Sequence, residues 1–169
     1  RLSIKSATNQ TTSSRTRYST GSGERSAMTR VVVDASVVVK WLLPQREDEA
    51  DVGQALMLLD GLRSGRVKIF QPVHWLAETA AVLVRLSPET AAADVADLYA
   101  MSLPIESGPE VYLTACELAR TLDHHVFDTL YHAVALTLPD TVLVTADARY
   151  ERTARQRGAI MLLRDVVSV

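Results

Sequence analysis

The chain has 169 residues, of which 47% are hydrophobic, 22% are charged and 5% are aromatic. This length fits one domain with a real core, and no apolar stretch approaches the roughly 18 residues of a membrane-spanning helix. The net charge is −2, but residues 1–27 carry +4, so the remainder carries −6 and is not an obvious nucleic-acid binder by bulk electrostatics. The single cysteine, Cys116, excludes an internal disulfide. We expect it to be buried, which favours a reducing cytoplasm.

Residues 1–28 form a basic leader that is rich in Ser, Thr, Arg and Gly and lacks apolar periodicity. This composition buries too little apolar surface to offset the entropy cost of ordering, so we expect disorder. Met28 directly precedes the first strand-like run, and the simplest interpretation is a natural start at Met28 after a non-native leader. A basic arm that contacts nucleic acid and a transit-type leader are the alternatives.

Residues 29–169 alternate strand-like and helix-like patterns. In chain order, the first half predicts a strand at 31–33, a helix at 36–43, a charged loop at 45–51, a helix at 52–63, a strand at 67–70 and a helix at 72–86. The second half predicts a helix at 88–101, a strand at 103–105, helices at 109–122 and 128–138, a strand at 141–145, a helix at 148–156 and a strand at 159–162. This alternation predicts an α/β fold with a mainly parallel central sheet flanked by helices.

Four carboxylates lie at the edges of apolar segments: Asp34, Glu78, Asp128 and Asp147. Asp34 follows the first predicted strand and Asp147 the fourth, and ligands of open α/β sheets bind beyond the carboxyl ends of strands. We place Glu78 about two turns into its helix and Asp128 in the first turn of its own, where the helix N-terminus favours an anion. These placements allow one shared acidic pocket.

An acidic pocket of this kind points to metal chemistry. A carboxylate in apolar surroundings is costly unless it is paired or binds a metal, and an oxygen-only donor set suits Mg²⁺ or Mn²⁺. Such ions polarise a phosphodiester and lower the pKa of a bound water, which is the chemistry of phosphodiester cleavage. Ser36 and Thr145 each lie two residues from an acid and are expected to support the carboxylates.

Each acid also has a structural interpretation. Asp34 and Asp147 fit helix N-caps, Asp128 fits a first-turn charge, and Glu78 fits a solvated helix residue. Taken together, these interpretations are weaker than a shared site, because the remaining acids lie mostly in polar stretches.

Histidines and basic residues lie near these acids in sequence. His74 and His132 are each four residues from an acid, on the same helix face, but a zinc site would want a denser nitrogen or sulfur set. Basic residues are most often solvated charges at the protein surface, and this is the ordinary interpretation here. Candidates for a phosphate contact are His124, His125, Lys40, Arg149 and Arg152.

Four segments, in this order, resemble a PIN-domain ribonuclease, most similar to the VapC-type toxins of toxin–antitoxin pairs. The segments are Val-Val-Asp34-Ala-Ser36, Leu76-Ala-Glu78-Thr-Ala-Ala-Val-Leu, Phe-Asp128-Thr-Leu-Tyr-His-Ala-Val-Ala-Leu and Leu-Val-Thr145-Ala-Asp147-Ala-Arg149-Tyr. The resemblance covers about residues 30–169. His132 stands where the family usually has an apolar residue, and the basic leader is not a family feature.

The resemblance implies a PIN-like three-layer sandwich and an Mg²⁺- or Mn²⁺-dependent endoribonuclease acting on RNA, with tRNA and rRNA as candidates. It implies that Asp34, Glu78, Asp128 and Asp147 bind the metal. It also implies a cytoplasmic homodimer that a cognate antitoxin holds inactive. The alternatives are a PIN-domain RNA-processing nuclease without an antitoxin and a catalytically inactive PIN scaffold.

Two other classes that place an aspartate after the first strand fit less well. A phosphatase of the haloacid dehalogenase type would want a second Asp where this chain has Ser36. A receiver-like phosphorylation module would want paired acids before its phosphoacceptor and a late lysine, and neither is evident.

Overall fold

The computed structural model describes residues 28–44 and 50–167. The predicted leader apart from Met28, and residues 45–49 of the predicted charged loop, lie outside the described residues. Among the helices of the described ranges, none is both long and apolar enough to cross a membrane.

A parallel sheet of five strands forms the centre of the described chain. The strands are β1 (Thr29–Val33), β2 (Val67–Pro72), β3 (Ile105–Glu106), β4 (Thr141–Thr145) and β5 (Ile160–Leu162). Their order is β3-β2-β1-β4-β5, and every neighbouring pair is parallel. Val31, Val32 and Val33 are all buried, as expected for an inner strand of a sheet that is covered on both faces. The predicted parallel sheet is confirmed.

Seven α-helices flank this sheet in the described part of the chain. They are α1 (Ala35–Leu42), α2 (Val52–Arg63), α3 (Trp75–Leu86), α4 (Ala91–Ala100), α5 (Pro109–Leu122), α6 (Val126–Thr137) and α7 (Ala148–Ala154). Helices α1 and α2 pack together, α3 packs on both α1 and α4, and α5 packs on α6. Right-handed crossovers place the connections after β1 and β2 on one face of the sheet and those after β3 and β4 on the other. The result is a three-layer α/β sandwich.

The register of the two central strands decides where the predicted site residues emerge. Val33 of β1 pairs with Val144 of β4. The backbone N–H of Asp34 donates to the carbonyl of Val144 at 3.4 Å. The residues that follow β1 and β4 therefore leave the sheet side by side at its carboxyl edge, the usual position for ligands in such sheets.

The start of α3 differs from its prediction. Pro72 ends β2 instead of opening a helix, and α3 begins at Trp75 after a two-residue turn. The error shifts Glu78, which lies in the first turn of α3 and not two turns into it. Pro72 fits a strand end because a proline there gives up a hydrogen-bond donor only where the pairing stops.

The start of α4 also differs from its prediction. Residues 87–90 form a turn, and α4 begins at Ala91 with Thr90 as its N-cap. The hydroxyls of Ser87 and Thr90 lie 2.8 Å apart, and the Ser87 carbonyl accepts from the N–H groups of Thr90 and Ala91. The Ser-Pro pair therefore starts a turn before the helix. The other predicted boundaries agree to within about two residues, and those of 52–63, 109–122 and 141–145 match the structure at both ends.

Trp41 links the first two helices within the core. Its side chain is 1% exposed, and its indole N–H donates to the Ala55 carbonyl at 2.8 Å. A buried indole that has this partner contributes a large apolar area without leaving its N–H unpaired. This contact holds α1, which begins at the site, against α2.

His132 is part of the core and not of the predicted site. It is fully buried in α6, its Nε2 lies 2.7 Å from the Gly158 carbonyl, and its Nδ1 lies 3.1 Å from the Tyr150 hydroxyl. Since a carbonyl only accepts, Nε2 carries the proton and Nδ1 accepts from Tyr150. The imidazole replaces the apolar residue usual in the family by satisfying both of its nitrogens.

Burial lowers the pKa of His132, although the hydrogen bond to Gly158 opposes the shift. The unfolded chain therefore binds a proton more readily, so the stability that neutral His132 contributes is present above its ordinary pKa and is lost as the pH falls below it. We expect the free energy of unfolding to decrease from pH 7.5 to pH 5 more steeply in the wild type than in His132→Gln. The excess slope is at most about 1.4 kcal/mol for each pH unit. Urea unfolding at several pH values measures it, and parallel curves would contradict this role.

Cys116 corrects another expectation, because its side chain is exposed on α5. Its neighbours Val111, Ala115 and Leu118 are buried, so the segment is amphipathic with the cysteine on its outer side. The thiol of Cys116 is therefore not buried, and it does not support the expected reducing compartment.

Candidate active site

Asp34 occupies the turn between β1 and α1 and is partly buried. Its Oδ1 caps α1 by accepting from the backbone N–H groups of Ser36 at 2.9 Å and Val37 at 3.3 Å. The Ser36 hydroxyl also donates to Oδ1, and the Thr145 hydroxyl donates to Oδ2. Burial raises the pKa of Asp34 to about 6, and the hydrogen bonds from Ser36, Thr145 and Val37 limit the increase. A carboxylate placed here is costly in the metal-free protein.

The two predicted supporting hydroxyls join the ends of β1 and β4. The Ser36 hydroxyl accepts from the backbone N–H of Ala146 at 3.1 Å, and the Thr145 hydroxyl accepts from that of Asp147 at 2.9 Å. Each hydroxyl thus donates to Asp34, and one of the two bonds of each hydroxyl crosses between the loops: Ser36 accepts from the loop after β4, and Thr145 donates to the loop after β1. The two hydroxyls therefore fix the loop that carries Asp34 against the loop that carries Asp147.

Asp147 is the N-cap of α7. Its Oδ1 accepts from the backbone N–H groups of Arg149 at 2.8 Å and Tyr150 at 2.9 Å. Both capping bonds use the same oxygen, so the other oxygen takes no part in the cap. The capping interpretation of Asp147, like that of Asp34, is correct and is compatible with a further role.

Glu78 faces Tyr131 across the gap between α3 and α6. Its Oε2 accepts from the Tyr131 hydroxyl at 2.7 Å and lies 3.5 Å from Nε2 of His74. Burial alone would raise the pKa of Glu78, but His74 and Tyr131 together outweigh it and hold the pKa below its usual range. Burial, followed by the charge of Glu78, raises the pKa of the Tyr131 phenol. Tyr131 therefore acts as a hydrogen-bond donor that orients Glu78.

Asp128 lies in the first turn of α6, as predicted. One of its oxygens, Oδ2, lies 3.1 Å from Nδ1 of His124. The pKa of Asp128 is raised, chiefly by burial, and the nearby carboxylates of Glu78 and Asp147 raise it further while His124 opposes them. Glu78 and Asp147 are therefore close enough to Asp128 to act on it electrostatically.

All four predicted acids line a single pocket of about 150 Å³. The remaining lining residues are Ala35, Ser36, Tyr131, Leu143, Thr145 and Tyr150. No lysine or arginine belongs to this lining in the described part of the chain. The pocket is thus a site of concentrated negative charge without a lysine or arginine in its lining.

The acidic pocket has the donor chemistry of a hard divalent cation but is not preformed around one. Within residues 28–44 and 50–167, no three Asp, Glu, His or Cys side chains lie close enough together, as oriented, to hold one ion. One oxygen of Asp34 and one of Asp147 are directed towards capping bonds, the other oxygen of Asp34 accepts from Thr145, and Glu78 is directed towards Tyr131. Carboxylate oxygens with uncompensated charge fit Mg²⁺ or Mn²⁺, so side-chain rotation within the pocket is what an ion would require.

A second, more open cleft adjoins the acidic pocket. It has a volume of about 550 Å³ and is lined by Asp123, His124, His125, Asp147 and Arg149. Asp147 belongs to both linings, so the two spaces meet there. The predicted phosphate contacts His124, His125 and Arg149 therefore lie together, whereas Lys40 is buried in α1 and does not face this cleft.

Sequence reasoning missed the two tyrosines of the pocket. Tyr131 lies three residues after Asp128 on α6, a spacing that places both side chains on one helix face and could have identified it. The same reasoning selected His132 at a spacing of four, but that side chain enters the core. Tyr150 lies three residues after Asp147 at the start of α7, so the same spacing could have identified it.

Comparison with known families assigns this arrangement to a class. Residues 31–156 match the PIN domain, and the chain belongs to that family. PIN domains are typically metal-dependent nucleases, so membership indicates a nuclease. No curated protein matches the chain.

Proposed function

We propose that this PIN domain is an Mg²⁺- or Mn²⁺-dependent endoribonuclease that hydrolyses RNA phosphodiester bonds through Asp34, Glu78, Asp128 and Asp147. The observation that carries the proposal is the meeting of these four carboxylates in one pocket whose described lining contains no lysine or arginine. When bound, a divalent ion would supply charge neutralisation of the phosphodiester and a more acidic water.

The side chains around the acids suit a positioning role. Ser36 and Thr145 hold the Asp34 carboxylate from both sides, and Tyr131 holds Glu78 at 2.7 Å. Leu143 and Ala35 supply apolar walls that limit access of bulk water. These hydrogen bonds keep the carboxylates at the pocket in the metal-free protein, and the acids turn from these positions towards an ion.

The biological context that we favour is the toxin of a type II toxin–antitoxin pair, acting in the cytoplasm as a homodimer and neutralised by a cognate antitoxin. This part of the proposal rests on the resemblance to VapC-type toxins. A PIN-domain RNA-processing nuclease without an antitoxin is the second candidate, and a catalytically inactive scaffold is the third. Retention of all four acids and of both supporting hydroxyls favours an active enzyme over the scaffold.

The deciding experiment is cleavage of a mixed tRNA and rRNA pool by the purified protein with Mn²⁺, with Mg²⁺ and with EDTA. We expect cuts at discrete positions in the metal lanes, none with EDTA and none with Asp128→Asn. Cleavage that continues in EDTA would contradict the metal requirement. Absence of cleavage from a folded preparation free of any partner by mass spectrometry would favour the scaffold.

A further inference from the structure

Phe127 is an exposed aromatic ring beside the acidic pocket. It lies in the first turn of α6, directly before Asp128, and 64% of it is exposed. The only other phenylalanine of the chain, Phe70, is buried and packs beneath the cations of Arg30 and Lys68. An aromatic side chain left in water next to a catalytic acid is a candidate for contact with a substrate.

Neighbouring rings hold Phe127 in place. Its ring centroid lies 5.4 Å from that of His74, and the rings are tilted by 55°. His74 in turn packs edge-on against Tyr131 at 4.9 Å, and Tyr131 lines the acidic pocket. A row of three rings therefore leads from the solvent to the pocket, with Phe127 at its outer end.

His74 is suited to positioning this row. Its side chain is 12% exposed, both ring nitrogens are buried without a hydrogen-bond partner, and Nε2 lies 3.5 Å from Oε2 of Glu78. The imidazole thus packs against Phe127 and against Tyr131. The position of Phe127 therefore depends on the same side chain that contacts the pocket residues Tyr131 and Glu78.

The two sides of the acidic pocket offer different chemistry to an RNA strand. In the cleft that meets the pocket at Asp147, Arg149 provides a cation, and His124 and His125 provide hydrogen-bonding groups that suit backbone phosphates. The cleft also contains the carboxylate of Asp123, and its His124 reaches Asp128 at 3.1 Å. On the Asp128 side, Phe127 and His74 provide ring surfaces. Every nucleobase has a π-face, and unstacked bases of single-stranded RNA commonly stack on aromatic side chains.

We propose that Phe127 is the stacking position for a base that flanks the scissile phosphodiester in single-stranded RNA, with His74 as its positioning residue. The inference rests on the proposed endoribonuclease function, because it requires RNA in the acidic pocket. Stacking supplies affinity without positive charge, which suits a surface adjacent to four carboxylates. It is tolerant of base identity, so it positions the strand and does not read its sequence.

The test compares Phe127→Leu with Phe127→Tyr. Leucine keeps an apolar side chain without a π-face, and tyrosine keeps the π-face. The control is Tyr99→Leu, which removes an aromatic ring that is 75% exposed on α4 and lines neither the acidic pocket nor the cleft. We expect Phe127→Leu to raise the KM for an RNA fragment cleaved by the wild type about 5- to 100-fold with little change in kcat. Phe127→Tyr and Tyr99→Leu should stay within about twofold of the wild type.

A modified substrate sharpens the test. RNAs that lack one base, 5′ or 3′ of the cleaved bond, are assayed with the wild type and with Phe127→Leu. We expect one abasic position to cause the same loss in the wild type as Phe127→Leu causes with intact RNA, and no further loss in the variant. Independent losses that multiply would overturn the proposal.

A binding arm separates this inference from the proposed function. Fluorescence anisotropy with a labelled single-stranded 12-mer in EDTA measures affinity without cleavage, and Phe127→Leu should bind about 5- to 100-fold more weakly. Cleavage by the wild type with unchanged KM and affinity in Phe127→Leu would overturn stacking while the nuclease stands. Equal loss in the Leu and Tyr variants, with a changed oligomeric state by light scattering, would assign Phe127 to a protein interface and also overturn it. Failure of the wild type to cleave in any metal, with stacking-dependent binding retained, would contradict the nuclease alone.

Discussion

Replacing Asp34 by asparagine is expected to lower metal-dependent RNA cleavage at least about 100-fold without loss of fold. Asp34 is the carboxylate in closest contact with both loops of the pocket, through Ser36 and Thr145. Asparagine keeps one side-chain oxygen but carries no charge, so the substitution removes charge stabilisation at the proposed metal site that is worth several kcal/mol, and about 1.4 kcal/mol corresponds to each tenfold in rate. Initial rates with Mn²⁺ and Mg²⁺ measure the loss.

The same substitution is expected to leave the metal-free protein as stable as the wild type, or more stable. Burial raises the pKa of Asp34 from 3.8 to about 6 in the folded protein, so its contribution to stability is present below pH 3.8 and is lost as the pH rises to about 6. A shift of this size is equivalent to about 3 kcal/mol, and partial exposure reduces it to about 1–2 kcal/mol. Asparagine has no charge to bury, so the stability difference in EDTA should grow between pH 4 and pH 7.

Asp60→Asn is a suitable control for Asp34→Asn. Asp60 is an exposed acid on α2 that pairs with Arg66 at 2.8 Å and lies outside the acidic pocket. We expect wild-type cleavage and a stability change of less than about 1 kcal/mol. Wild-type activity in Asp34→Asn would show that the proposed site is wrong, and a fall in activity with unfolding would indicate a structural role alone.

Replacing Asp128 by asparagine is expected to lower cleavage as strongly as Asp34→Asn does. It is also expected to remove the thermal stabilisation that we expect Mn²⁺ or Mg²⁺ to give to the wild type. Asp128 faces Glu78 and Asp147, and each of these carboxylates raises its pKa after burial. Their mutual repulsion is relieved by a divalent ion, so one fewer charge weakens binding of the ion. Thermal unfolding with increasing Mn²⁺ measures the effect, since a ligand that binds only the folded state raises its stability.

Asp94→Asn provides the matched control for Asp128→Asn. Asp94 is likewise an acid in the first turn of its helix, α4, where it accepts from Thr90 at 2.7 Å and lies outside the pocket. If Asp128 acted only as a first-turn charge, both variants would lose a few tenths of a kcal/mol and both would keep metal stabilisation and activity. A difference in the metal response between the two variants is therefore the informative result.

Local pattern was sufficient for the strand ends that carry Asp34 and Asp147 and for the first-turn position of Asp128. Apolar runs followed by polar residues mark where buried strands stop, and this information lies within a few neighbouring residues. The start of α3 was less determinate, because a proline suits both a strand end and a helix start. That ambiguity misplaced Glu78 by about one turn.

The sequence by itself determined the alternation of strands and helices, the parallel sheet and the identity of the four acids, because each depends on short-range apolar pattern. Only the tertiary structure decided that β1 lies beside β4, that Tyr131 orients Glu78 and that His132 turns inward to Gly158. It also decided that Cys116 faces solvent and that Phe127 stays in water beside the acids. The contacts among these features join residues far apart in the chain, and the exposed side chains are those that no distant element covers. Both are decided by how whole helices pack on the sheet.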